Sequence, residues 1–155
     1  MKPRPFSVYL LAFLLFFLAL GGFFGGINLV LYPSGESLSM PVSYLQHSPF
    51  EDYLIPGLIL LFLMGVLPLG LVYALLARPS WTWANALNIY AGQHWAWTYS
   101  VYAGIILIIW IDIQIMLVGY GHIIQTIYAL LGVVITVTAL LPSTKTYYAQ
   151  SDSPK

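Results

Sequence analysis

WAWTYSVYAGIILIIWIDIQIMLVG, residues 95–119, runs for 25 positions with a single charged residue, Asp112. About 20 residues of helix cross ~30 Å of hydrocarbon, so the stretch is long enough to span a bilayer. It is too continuously apolar for a strand of an outer-membrane barrel, where apolar and polar residues alternate over ~10 positions. In lipid such a segment must satisfy its own backbone hydrogen bonds, and a helix does so. Working outward, residues 7–31, 53–77 and 122–141 have the same character. The expected fold is therefore an all-α membrane protein, a bundle of four transmembrane helices forming one domain over residues 1–155. An outer loop (32–52), a cytoplasmic connector (78–94) and a cytoplasmic tail (142–155) complete it.

Composition agrees. Hydrophobic residues make up 60% of the 155 and charged residues 6%, where a soluble domain carries about 25% charged. That excludes a soluble globular domain, a disordered chain and an ordinary nucleic-acid binder, so no nucleic-acid partner is expected and the bilayer itself is. Five Lys/Arg balance five Asp/Glu, and there is no cysteine. Disulfides, thiol redox chemistry and a Cys nucleophile are thereby removed together.

Orientation follows from the cations. Lys2 and Arg4 precede the first span, Arg78 follows the second, and Lys145 and Lys155 follow the fourth. All five fall on one side of a four-span chain, which by the positive-inside rule places both termini in the cytoplasm. Lys2 and Arg4 before Ala19-Leu20-Gly21 resemble a cleavable signal. The apolar run, however, continues to Leu31, well past the length of a signal core, and an uncleaved helix is expected.

The loops carry local signals. Tyr32-Pro33-Ser34-Gly35 has turn composition, and residues 40–45 suit a short helical turn. Ser48-Pro49-Phe50-Glu51 reads as a capping box that starts the second helix near Pro49, with Glu51 and Asp52 at the positive end of its dipole. In the connector, Trp83, Leu87 and Tyr90 recur at i, i+4 and i+7, which suits a short interfacial helix ending before Gly92. Trp81, Trp95 and Trp97 join them in an aromatic belt. Gly21, Gly22, Gly25 and Gly26 form two overlapping small-xxx-small pairs for close helix packing. Pro68 predicts a kink near residues 64–68, since it lacks an amide and crowds the Met64 carbonyl.

Polar residues concentrate toward the outer half: Asn28, Asp112, Gln114, His122, Gln125 and Tyr128. The short turn around Tyr120-Gly121 makes the third and fourth spans antiparallel neighbours, which brings Asp112 within one turn of Gln125 and Tyr128. Asp112 and Gln114 are 200° apart on the wheel, so they cannot enter one pocket. One meets the fourth span and the other the first or second span, or a second protein. No Lys or Arg reaches Asp112, so its partners are expected to be neutral donors, histidine or water. The group forms either interhelical hydrogen bonds, at about 0.6 kcal/mol each, or a polar pocket open toward the outer leaflet.

Catalytic and metal-binding patterns are missing. His94 and His122 lie at opposite membrane faces and cannot share a metal or haem. There is no phosphate loop, nucleophile elbow or H-E-x-x-H. No cofactor, no metal and no enzyme activity are expected.

Taken together, Pro33-Ser34-Gly35, Ser48-Pro49-Phe50-x-x-Tyr53-x-Ile55-Pro56-Gly57, Trp110-Ile111-x-x-Gln114 and Gln125-x-x-Tyr128 before Gly132 carry a resemblance to a broad group of small four-helix bacterial integral membrane proteins of unassigned function. The resemblance implies a bacterial cytoplasmic membrane and the same four-helix plan, and Asp112 stands where that pattern has an apolar residue. The function expected is that of a small, non-enzymatic membrane accessory or interaction protein working with a larger membrane complex or a second copy of itself. The alternative is a binder or carrier of a lipid or other small apolar molecule in the outer half of the bundle.

Overall fold

A computed structural model describes residues 3–150. Lys2 and Lys155, used above for orientation, lie outside the described residues. Five α-helices follow in order: α1 (Phe6–Leu31), α2 (Leu54–Ala77), α3 (Trp95–Val118), α4 (Ile123–Leu140) and α5 (Pro142–Tyr148). The first four are long and apolar enough to cross a membrane. Their bounds fall within one residue of the sequence expectation. No strand forms among the described residues; one isolated antiparallel bridge joins Gln93 and Ala149. Below, the loop end is the end with residues 32–53 and the α3–α4 turn, and the terminal end is the opposite one.

Helix α1 is the axis of the bundle, touching α2 along its length and also α4 and α5. Its glycines explain how. A Cβ on Gly22 would strike the backbone of Met64 and Gly65, and one on Gly26 the backbone of Leu61 at 2.7 Å. The small-residue face is therefore used inside the chain, as seating for α2. The α3–α4 hairpin closes similarly: a Cβ on Gly104 would stand 2.9 Å from the Gly132 carbonyl, and one on Gly132 2.9 Å from that of Gly104.

The disturbance expected from Pro68 starts earlier than residues 64–68. Leu60–Val66 winds as a π-helix, and the Leu67 amide reaches back to the Phe62 carbonyl, five residues away. Pro68 has no amide to give, and the wider winding precedes its ring. It is this segment whose backbone meets Gly22 and Gly26.

The start of α2 differs from the capping-box expectation. Ser48 Oγ accepts from the Phe50 amide at 3.2 Å, a local turn. The helix starts at Leu54, whose amide donates to Asp52 Oδ1 at 2.9 Å. An Asx turn next to the helix therefore outcompetes a cap placed before Pro49.

The terminal end is a tied layer. Tyr148 is fully buried and its hydroxyl donates to the Leu75 carbonyl at 2.7 Å. The His94 amide donates to Tyr148 O and the Gln150 amide to Gly92 O, both at 2.9 Å. Arg78 lies over the rings of Tyr147 and Tyr148, and Arg4 donates to the Leu76 carbonyl. The expected connector helix is a 3-10 segment, Thr82–Leu87. Trp81 and Trp83 are exposed and stack on each other. Trp95 and Trp97 leave the expected belt and are buried, their indole N–H groups donating to Pro79 O and Ala139 O.

Candidate functional site

The site lies at the loop end and begins with how α2 and α3 diverge. They touch mainly in the half of α2 beyond Leu67 and separate toward the loop. The loop folds into the gap. Gly35, at φ +75°, turns the chain so that its carbonyl accepts from the Met40 amide. The Tyr53 amide donates to Pro33 O and its hydroxyl to Pro41 O. The short helical turn expected at residues 40–45 is present as a 3-10 turn, Val42–Leu45. Leu45 packs with Leu29 and Tyr53 in a small second core under Leu38, Met40 and Phe50.

The loop covers the gap without filling it. One cavity of about 370 Å³ lies beneath Met40, Leu45, Pro49, Phe50 and Tyr53, with α2 contributing Pro56 and Leu60 and α3 contributing Trp110, Ile113, Gln114 and Leu117. A second, of about 320 Å³, is bounded by Leu18, Gly21, Gly22 and Gly25 of α1, Met64 of α2, Leu107, Trp110 and Gln114 of α3, and His122, Gln125 and Tyr128 at the start of α4. Met40, Leu60, Trp110 and Gln114 line both and stand between them. Each volume lies in the ~300–1,000 Å³ range of small-molecule sites, which are likewise apolar with a few polar groups.

Four of the six polar residues singled out in the sequence gather here: Gln114, His122, Gln125 and Tyr128. Their chemistry differs. Gln125 is committed to the hairpin, its Oε1 accepting from the Gly121 and His122 amides and its Nε2 donating to the Gly119 carbonyl. The Tyr128 hydroxyl rests over Gly21, where a Cβ would collide with it, and its ring stacks on Phe17 at 6.5 Å. Gln114 is half-buried, and its side-chain amide makes no hydrogen bond among the described residues.

The other two stand apart. Asn28 donates to the Phe24 carbonyl of its own helix at 2.7 Å and lines neither cavity. Asp112 is exposed on the outside of the bundle and likewise lines neither. Of the two polar residues 200° apart on α3, Gln114 takes the interior and Asp112 the exterior. The loop's share of the lining, from Met40 to Tyr53, escaped the sequence reading. Its signal was the apolar content of residues 38–50 between two turn motifs.

No group of three or more His, Asp or Glu residues placed to hold a metal occurs among the described residues. The chain matches no protein-family model, no curated protein and no solved structure.

Proposed function

We propose that the protein binds a lipid acyl chain or a similar apolar molecule in the paired cavities, without catalysis. The observation that carries this reading is the Gln114 amide, unpartnered and set in the wall shared by two apolar cavities. The apolar lining accepts a hydrocarbon chain, and a single amide in such a lining orients the polar end of a ligand. The uneven distribution of Lys and Arg supports both termini being cytoplasmic, which turns the cavities toward the outer leaflet. The setting we propose is a bacterial cytoplasmic membrane.

Native mass spectrometry of protein extracted gently from its host membrane tests this. The expected spectrum is a monomer carrying one discrete small-molecule or lipid mass. That mass is lost in Gln114→Leu and in Leu117→Trp, which fills the first cavity. A bare monomer, or an adduct indifferent to both changes, overturns the proposal.

A second reading, a membrane accessory protein, is favoured by one observation, the outward-facing Asp112. A membrane protein co-purifying at fixed stoichiometry supports it, and its absence from gently extracted material counts against it. The glycine face of α1 is not free for a partner, because α2 and Tyr128 of α4 occupy it.

A further inference from the structure

Helix α3 turns one face away from the bundle. Ile105, Ile109, Asp112 and Met116 lie on it at i, i+4, i+7 and i+11, and all four are exposed, Met116 to 82%. Asp112 is the only charged residue in any of the four long helices. It sits six residues before the end of α3 at Val118, about 9 Å along the axis. Ionisable side chains at membrane depth ordinarily face the bundle interior or a wet cavity and pair there. Here the neutral Gln114 has the interior position and the carboxylate faces out.

Among the described residues, no Lys or Arg lies near it. No Lys or Arg occurs between Arg4 and Arg78 or between Arg78 and Lys145. Arg4 and Arg78 are engaged at the terminal end, and Lys145 lies there on α5. The described Lys and Arg residues of a second copy in the same orientation therefore stand at the far end from Asp112.

We propose that this face docks a transmembrane helix of a different protein that carries a Lys or Arg in the membrane half nearest the 32–52 loop. Asp112 accepts from that cation. In lipid, where the local dielectric is low, each charge relieves the cost of burying the other. Ile105 and Ile109 give the incoming helix a ridge, and the flexible Met116 adapts to its side chains. The inference rests on the accessory reading and gives the partner its chemistry. It is independent of the cavities, because none of these four residues lines them.

The test uses the full chain in phosphatidylcholine vesicles with a fluorescence donor. Two synthetic single-span Leu/Ala peptides carry the acceptor, one with a Lys about 9 Å from one end and one with Leu at that position. The Lys peptide is expected to associate about tenfold more tightly, and the preference should vanish in Asp112→Asn. Equal association of the two peptides overturns the proposal, as does a preference that survives Asp112→Asn. Energy transfer between copies of the chain that is lost in Asp112→Leu yet undisturbed by the Lys peptide also overturns it, and assigns the face to a second copy. The comparison of the two peptides on the unaltered chain needs no substitution, so a folding defect cannot mask the answer. A co-purifying membrane protein retained by Asp112→Asn would leave the accessory reading standing and remove this docking face alone.

Discussion

His94 shows how much one side chain does at the terminal end. Its Nδ1 accepts from the Ala96 amide at 3.2 Å, capping α3, which leaves Nε2 to donate to the Pro79 carbonyl. That arrangement needs the neutral ring. Burial, with a contribution from the nearby Arg78 charge, holds its pKa below the ordinary 6.5. The unfolded chain takes up this proton near 6.5 and the folded chain only at lower pH. The stability tied to His94 is therefore complete above about 6.5 and falls as the pH drops below it. Thermal unfolding in detergent should show a midpoint that declines from pH 7.5 to 5.5, and His94→Asn, which keeps a cap acceptor without titrating there, should flatten the decline. Tyr148 belongs to the same layer, its pKa pushed up by burial. Tyr148→Phe removes the bond to Leu75 O and should cost about 1 kcal/mol. Tyr148→Ala, which opens a cavity, should cost about 3–5 kcal/mol by denaturant unfolding.

Between elements, the decisive contacts are those that admit no Cβ. Gly22 and Gly70 are both helical glycines in apolar sequence, and nothing local to either tells them apart. A methyl at Gly22 would collide with the backbone of Met64 and Gly65, which cannot swing aside as a side chain can, whereas one at Gly70 meets nothing within 4 Å. Gly22→Ala should lower the thermal midpoint by forcing α1 off α2. Gly70→Ala should leave the midpoint unchanged or raise it, by up to about 1 kcal/mol of helix propensity. Parallel thermal scans of the two variants check this, and an equal response would contradict the packing described. Gly25 falls between, since its nearest neighbour is the Leu60 side chain at 2.8 Å, which can rotate away.

For the molecule as a whole, α5 and the residues after it act as a closure. They join the chain's last described segment to the connector through the Gln93–Ala149 bridge and to α1 through the hydrogen bond between the Ser7 and Ser143 hydroxyls, 2.8 Å long. A chain ending at Leu141 should retain the four long helices by circular dichroism. It should unfold at lower temperature, with faster amide exchange across residues 78–94. Unaltered exchange there would show that α5 does not hold the connector. The loop end behaves differently. Its cover is a short stretch of turns over two apolar cavities, so a ligand seated beneath it would raise the thermal midpoint with the logarithm of its concentration above Kd.

The four long helices and the hairpin between α3 and α4 were legible in the chain itself. Length and unbroken apolarity specify a helix of that kind whatever its neighbours, because a backbone in hydrocarbon has no other partner than itself. The opposition of Asp112 and Gln114 was legible too, since helical geometry alone puts 200° between them. Which of the two faces inward was not, because that depends on α2 and α3 separating toward the loop, and no local property of α3 records the position of α2. The same holds for the glycines, whose spacing announces close packing without naming the partner helix. It holds as well for Ser48 and Asp52, two good caps from which the folded loop selected one. It also holds for Trp95, Trp97 and Tyr148, amphipathic side chains suited to a membrane interface or to a core. Sequence determined what each segment must become in lipid. The tertiary structure alone decided which faces meet, because packing is settled by the shape and distance of residues far apart along the chain.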